Sequence, residues 1–167
     1  MPKITQIIDT WCTNTIQGII KQYDSIGLRA SGNLAKSLAY AIKDTDTGFN
    51  VQITGADYIY YLVNGRKPTR TKKRGSPTLQ EIILDWIEVK GIVPREENMT
   101  IESLSWAIST KIHKDGIKVP NEFNNGTLLD VINTKALAEQ VKPAYIERIR
   151  SDIMKGFEKV TEKYKNK

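Results

Sequence analysis

A single histidine and a single cysteine limit the chemistry open to this chain. His113 sits in Lys-Ile-His-Lys-Asp, near the end of a helical pattern, where the helix dipole mildly favours a cation. A lone histidine in such a place reads as structural. With one His and one Cys, no zinc site of the usual kind can be assembled. No glycine-rich phosphate loop occurs. Asp57, Glu81 and Asp85 would hold magnesium only if the fold brought them together, and nothing in their spacing says that it does. The chain therefore reads as a non-enzyme, with no catalytic residue, no metal site and no cofactor expected.

What remains is a run of charge. Arg66, Lys67, Arg70, Lys72, Lys73 and Arg74 place six cations in nine positions between Gly65 and Gly75. Such a cluster repels itself and favours water or an anionic partner. Two readings stand side by side: a solvated surface loop, or a site for DNA phosphates or an acidic protein surface. Asn64-Gly65 marks a turn just before it. The apolar run 58–63 leads into that turn and contains Tyr58, Tyr60 and Tyr61. Aromatics beside a basic loop resemble a stacking platform for single strands. In so short an apolar run they are more often core.

The loop must be held by its neighbours. Ile4, Ile7, Ile8, Trp11, Ile16, Ile19, Ile20 and Tyr23 recur at helical spacing and predict an amphipathic helix over about 2–23. Cys12 lies within it as a small buried hydrophobe. The apolar stripe is wide enough to suit a core or a neighbouring subunit. Ser31 is placed to cap a second helix through Leu34, Leu38 and Ile42. Residues 44–48 are turn chemistry. Phe49, Val51 and Ile53 alternate with Asn50, Gln52 and Thr54, the pattern of a half-buried strand. The run 58–63 suits a short helix or a strand.

Beyond the loop, Ser76-Pro77-Thr78 followed by Glu81 offers a cap and a capping box. Leu79, Ile82, Ile83, Trp86 and Ile87 would form the buried face of that helix, which Gly91 and Pro94 stop. Thr100 opens another helix, with Leu104, Ala107, Ile108 and Ile112 on one face and Gly116 at its end. Residues 117–119 offer a short strand and Asn124-Asn125-Gly126 a turn, while 128–132 is ambiguous. A long helix over about 134–163 carries Leu137, Val141, Tyr145, Ile149, Ile153, Phe157 and Val160 in one stripe. Pro143 should start a new segment there or kink the helix. The fold class that follows is α+β: a small antiparallel sheet packed by several helices, with long N-terminal and C-terminal helices. Trp86, Ile83, Leu104, Ile108 and Tyr61 are expected in the common core.

Composition narrows the class further. Hydrophobic content of 40% with 26% charged residues is that of a globular chain, not a disordered one. One cysteine allows no internal disulfide. No basic leader precedes an unbroken apolar run, and no apolar run is long enough to span a bilayer. These features lead to the expectation of a soluble protein made or assembled inside a cell. No repeat or low-complexity linker divides the 167 residues, so one domain is expected, with a C-terminal helical extension over about 127–167. The net charge of +6 is compatible with nucleic acid, with an acidic protein surface, or with no particular partner.

The order of segments is itself a signal. Ser-Gly-Asn-Leu-Ala-Lys-Ser-Leu at 31–38 precedes a strand. Tyr-Ile-Tyr-Tyr-Leu-Val-Asn-Gly-Arg-Lys-Pro follows at 58–68, then Leu-Asp-Trp-Ile-Glu-Val-Lys-Gly-Ile at 84–92. Leu-Ser-Trp-Ala-Ile-Ser-Thr-Lys-Ile-His-Lys-Asp-Gly closes the series at 104–116. The series resembles the tail-completion family of tailed bacteriophages, also called the neck or minor tail component family. The resemblance covers about 27–116. It departs afterwards, where Val-Pro-Asn-Glu-Phe at 119–123 and a long helix replace the segment with which that family often ends.

The resemblance implies a structural virion protein of the head-tail junction, in a ring that connects portal and neck to tail around the DNA path. It implies a location in the virion neck or tail after assembly in the host cytoplasm. The implied partners are other copies of the chain, in a ring of roughly six or twelve, and the adjoining portal, neck and tail proteins. Non-specific contact with channel DNA is also implied, and no membrane. The family supplies no catalytic residues. The alternative is a nucleic-acid-binding protein that uses the loop 66–74.

Overall fold

The computed structural model describes residues 4–45, 48–70 and 75–165. Among them the chain forms α1 (Ile4–Ser25), α2 (Asn33–Ser37), β1 (Ala39–Thr45), β2 (Gly48–Thr54), α3 (Ile59–Asn64), α4 (Leu79–Lys90), α5 (Ile101–Asp115) and α6 (Thr134–Lys165). The two strands pair as a small antiparallel sheet, so the fold is α+β with long first and last helices. No helix among the described residues is long and apolar enough to cross a membrane. The chain gathers into two compact units, one of residues 1–18, 39–53 and 131–167 and one of residues 19–38 and 54–130.

The first unit is built on the start of α1. Ile4, Ile8 and Cys12 recur every fourth residue, so they share one helix face, and all three are buried. Trp11 from α1, Tyr40, Ile42, Phe49 and Val51 from the hairpin, and Leu137, Val141, Ala144 and Tyr145 from α6 pack against them. Burial pushes the Cys12 thiol pKa up, and the Asp9 charge adds to the shift. The thiol is thus a core hydrophobe rather than a nucleophile. Asn133 caps α6: its Oδ1 accepts from the Ala136 amide at 2.9 Å, and its carbonyl accepts from Trp11 Nε1 at 3.2 Å. Pro143 lies inside α6, which runs on as one helix.

Strand β2 alternates as its sequence does, with Asn50, Gln52 and Thr54 exposed between half-buried Phe49, Val51 and Ile53. The preceding segment departs from expectation. The second helix stops at Ser37, and Leu38 and Ile42 do not extend it. Tyr40 and Ile42 are half-buried between exposed Ala39, Ala41 and Lys43, a period of two, and strand pairing with β2 overrides the helical spacing. Ser31 is not the N-cap either. Gly32 holds that position with φ of 77°, and no side chain caps the helix.

In the second unit Ile19, Tyr23, Leu34, Ile87 and Leu128 are the buried apolar side chains. Ser37 Oγ joins α2 to the segment before α3 by accepting from the Ala56 amide at 2.8 Å and donating to the Leu34 carbonyl at 2.8 Å. Helix α4 opens with the expected capping box. Thr78 Oγ1 accepts from the Glu81 amide at 3.3 Å, and Glu81 Oε2 accepts from the Thr78 amide at 2.6 Å. Gly91 ends the helix in the left-handed region, at φ 64° and ψ 35°.

Helices α4 and α5 pack on each other, and their buried positions match the expected faces only in part. Only Ile87 of α4 is fully buried; Ile83 is half-buried, while Trp86 and Ile82 are 38% and 49% exposed. In α5 the buried residues are Ser105 and Ser109, with Leu104 and Ile108 half-buried and Ala107 exposed. Each serine donates its hydroxyl to the carbonyl three residues back, Glu102 at 2.8 Å and Trp106 at 2.9 Å. A serine satisfied inside its own helix can be buried at little polar cost. Reading faces from apolar residues alone misses it.

Candidate functional site

The basic loop leaves the scaffold between two glycines. Arg66 and Ile117 form an antiparallel bridge, with N–H to O distances of 2.8 Å and 2.7 Å. Gly65 ends α3 at φ 73° and ψ −172°, and Gly116 ends α5 at φ 74° and ψ −162°. Only glycine occupies that region readily. A Cβ on Gly65 would stand 2.2 Å from the Ile117 carbonyl oxygen, and one on Gly116 would stand 2.2 Å from that of Arg66. The two strands of the bridge can come this close because neither residue has a side chain.

The next residues are gripped by α5. The Thr69 amide donates to the His113 carbonyl at 2.9 Å. Arg66 Nη2 donates to Thr69 Oγ1 at 3.0 Å, and Thr69 Oγ1 lies 2.7 Å from His113 Nδ1. His113 thus holds Thr69 at the base of the loop. Asn124 holds α3 from the other side, with Nδ2 donating to the Leu62 carbonyl at 2.7 Å. Thr69, Gly116, Ile117 and Asn124 were not legible as site residues. Only the turn signal of Asn124, the helix stop of Gly116 and the short-strand pattern at 117–119 marked them.

The six cations have unequal roles. Arg66 is half-buried and committed to the loop's own base, and its Nη1 is buried with no hydrogen-bond partner among the described residues. Lys67 and Arg70 are exposed. Lys72, Lys73 and Arg74 lie outside the described residues. The ion pairs among the described residues are Arg29 with Asp24 and Arg150 with Glu147, so no described carboxylate neutralises the loop.

The neighbouring tyrosines divide. Tyr23 is buried and Tyr58 is 38% exposed, and burial raises both phenol pKa values. Tyr60 and Tyr61 are 63% and 51% exposed, with rings 5.6 Å apart and nearly perpendicular. The expectation of Tyr61 in the core is therefore corrected. Run 58–63 forms a single short helix, α3, with no fully buried residue, so the faces carrying these two rings are free.

Asp57, Glu81 and Asp85 form no metal site, since no group of three or more potential ligands occurs among the described residues. Glu81 is occupied by its capping box. The amide and then the hydroxyl of Thr78 hold its carboxyl below the usual glutamate range.

A second candidate surface lies on α6. From residue 146 to residue 162, every side chain that the structure describes is exposed. These include Ile146 at 48%, Ile149 at 47%, Ile153 at 53% and Phe157 at 67%. The stripe that packs on the first core through Leu137, Val141 and Tyr145 thus continues without cover. Compared with family models, with curated proteins and with solved structures, the chain finds no match.

Proposed function

We propose that this chain is a structural virion protein of a tailed-bacteriophage head-tail junction. It forms a closed ring of roughly six or twelve copies that connects portal and neck to tail around the DNA path. The observation that carries the reading is the uncovered half of α6, which keeps Ile146, Ile149, Ile153 and Phe157 in water. An apolar stripe of this length favours association. The order of segments over 27–116 gives the association its setting. The loop offers Lys67 and Arg70, exposed and without an ion-pair partner among the described residues, to phosphates or to an acidic neighbour, and such contacts need no base reading. The test is quantitative mass spectrometry of purified particles of the phage that encodes the chain. The reading expects roughly six or twelve copies per particle, and absence from purified particles contradicts it.

One observation favours a second reading, a nucleic-acid-binding protein. Exposed Tyr60 and Tyr61 precede exposed Lys67 and Arg70 in the chain. Bases stack on aromatic side chains while cations track the backbone. On this reading the isolated chain binds a single-stranded oligonucleotide in a salt-dependent way. Tyr60→Ala with Tyr61→Ala then weakens that binding roughly tenfold or more. Binding that ignores both salt and these substitutions removes the second reading.

A further inference from the structure

We propose that the segment 117–124 completes a binding surface for a single nucleic-acid strand, with Lys118 as a phosphate contact and Phe123 as a stacking ring. This extends to a second segment, and rests on, the nucleic-acid reading of Tyr60, Tyr61, Lys67 and Arg70 given above.

The fold ties this segment to the loop and to α3. Arg66 bridges Ile117, and Lys67 and Lys118 each follow one residue of that antiparallel pair, which makes them diagonal neighbours across it. Both are exposed. Asn124 Nδ2 donates to the Leu62 carbonyl at 2.7 Å. That bond joins the residue after Phe123 to the residue after Tyr61. Lys118 and Phe123 are thus brought to the loop and α3 from more than 50 residues along the chain.

The turn holds Phe123 outward. Asn121 and Asn124 pair through their backbones at 2.7 Å and 3.2 Å. Asn121 Oδ1 accepts from the Phe123 amide at 2.8 Å and from the Asn124 amide at 2.9 Å. Asn121 Nδ2 donates to the Lys118 carbonyl at 2.7 Å, so the cation and the ring share one framework. Asn124 is buried, while Phe123 is 77% exposed. Phenylalanine is ordinarily a buried residue, and its ring has no polar group to gain from water.

Charge and ring type together select the occupant. Over residues 57–70 and 111–124, six cations stand against three carboxylates, Asp57, Asp115 and Glu122. None of these carboxylates forms an ion pair among the described residues. The excess favours an anion. An acidic protein surface would meet the cations and leave three exposed rings without a partner. A duplex keeps its base faces inside the stack. A single strand uses both features, since bases stack on aromatic rings while cations track the phosphates.

The test is a fluorescence-anisotropy titration of the full chain with labelled oligothymidine over a series of salt concentrations. Lys118→Gln should flatten the slope of log K against log salt by about 0.7, the single-strand value for one phosphate contact. Lys142→Gln, at an exposed lysine of α6, should leave the slope unchanged. Phe123→Ala should weaken binding roughly fivefold or more, and Phe123→Trp should restore it. Melting temperatures should match wild type throughout, as expected for exposed side chains. An unchanged slope for Lys118→Gln, an equal loss for Lys142→Gln, or wild-type affinity for Phe123→Ala would overturn the proposal. Polyglutamate that displaces the label as well as unlabelled oligothymidine does at equal charge would make the occupant an acidic protein and overturn it too. Any of these results with Tyr60→Ala and Tyr61→Ala still weakening binding would remove the segment 117–124 and keep the earlier reading. No salt-dependent binding by the intact chain would remove both.

Discussion

Gly65 and Gly116 hold the loop through backbone conformations closed to other residues, each against the other's strand. Gly65→Ala and Gly116→Ala should each destabilise the fold by about 3 kcal/mol, the combined result of strain and overlap. Urea denaturation reads this, and a loss under about 1 kcal/mol would show that the bridge yields easily. Glu81 gives a pH-dependent case. Its carboxyl is held below the usual range when folded, so it contributes stability above the unfolded pKa and loses it as pH falls through the folded one. Glu81→Ala should therefore be less stable than wild type near neutral pH and match it in acid. A gap that persists unchanged into acid contradicts the capping-box account. Gly65, Gly116 and Glu81 could be marked in the sequence as turn, stop and cap. The pairing of Arg66 with Ile117, and of Thr69 with His113, joins residues more than 40 apart and left no local signal.

Among the elements, helix existence was legible wherever spacing and caps agreed, as in α1, α4, α5 and α6. Faces were less legible. The buried residues of α5 are Ser105 and Ser109, whose polarity hides them from a hydrophobic pattern, and Trp86 of α4 stays 38% exposed. Ile87→Ala should cost about 2–5 kcal/mol, as expected for a fully buried side chain. Trp86→Ala should cost clearly less, and the reverse ranking by thermal or chemical denaturation would contradict this packing. β1 was hidden because Leu34, Leu38 and Ile42 mimic a helix until β2 pairs with it. The free half of α6 makes a separate claim. Deleting residues 146–167 should lower helical content yet shift the melting temperature by less than about 3 °C, since exposed side chains contribute little to folding. A drop above about 10 °C would mean that the segment supports a core.

At the scale of the whole molecule, each of the two units has its own buried set, Ile4, Ile8 and Cys12 in one and Ile19, Leu34, Ile87 and Leu128 in the other. Neither was separable in the sequence, because α1 contributes to both and no linker marks a boundary. The cores leave over an apolar face of α6 and the cations Lys67 and Arg70, which have no carboxylate partner among the described residues. An assembly around DNA gives both a use. The most direct measurement is a reconstruction of the tail-proximal vertex of the encoding phage by electron cryo-microscopy. The account predicts a closed ring around the DNA channel into which the chain fits. Density that holds no copy of this chain, or a lone copy off the axis, would contradict it.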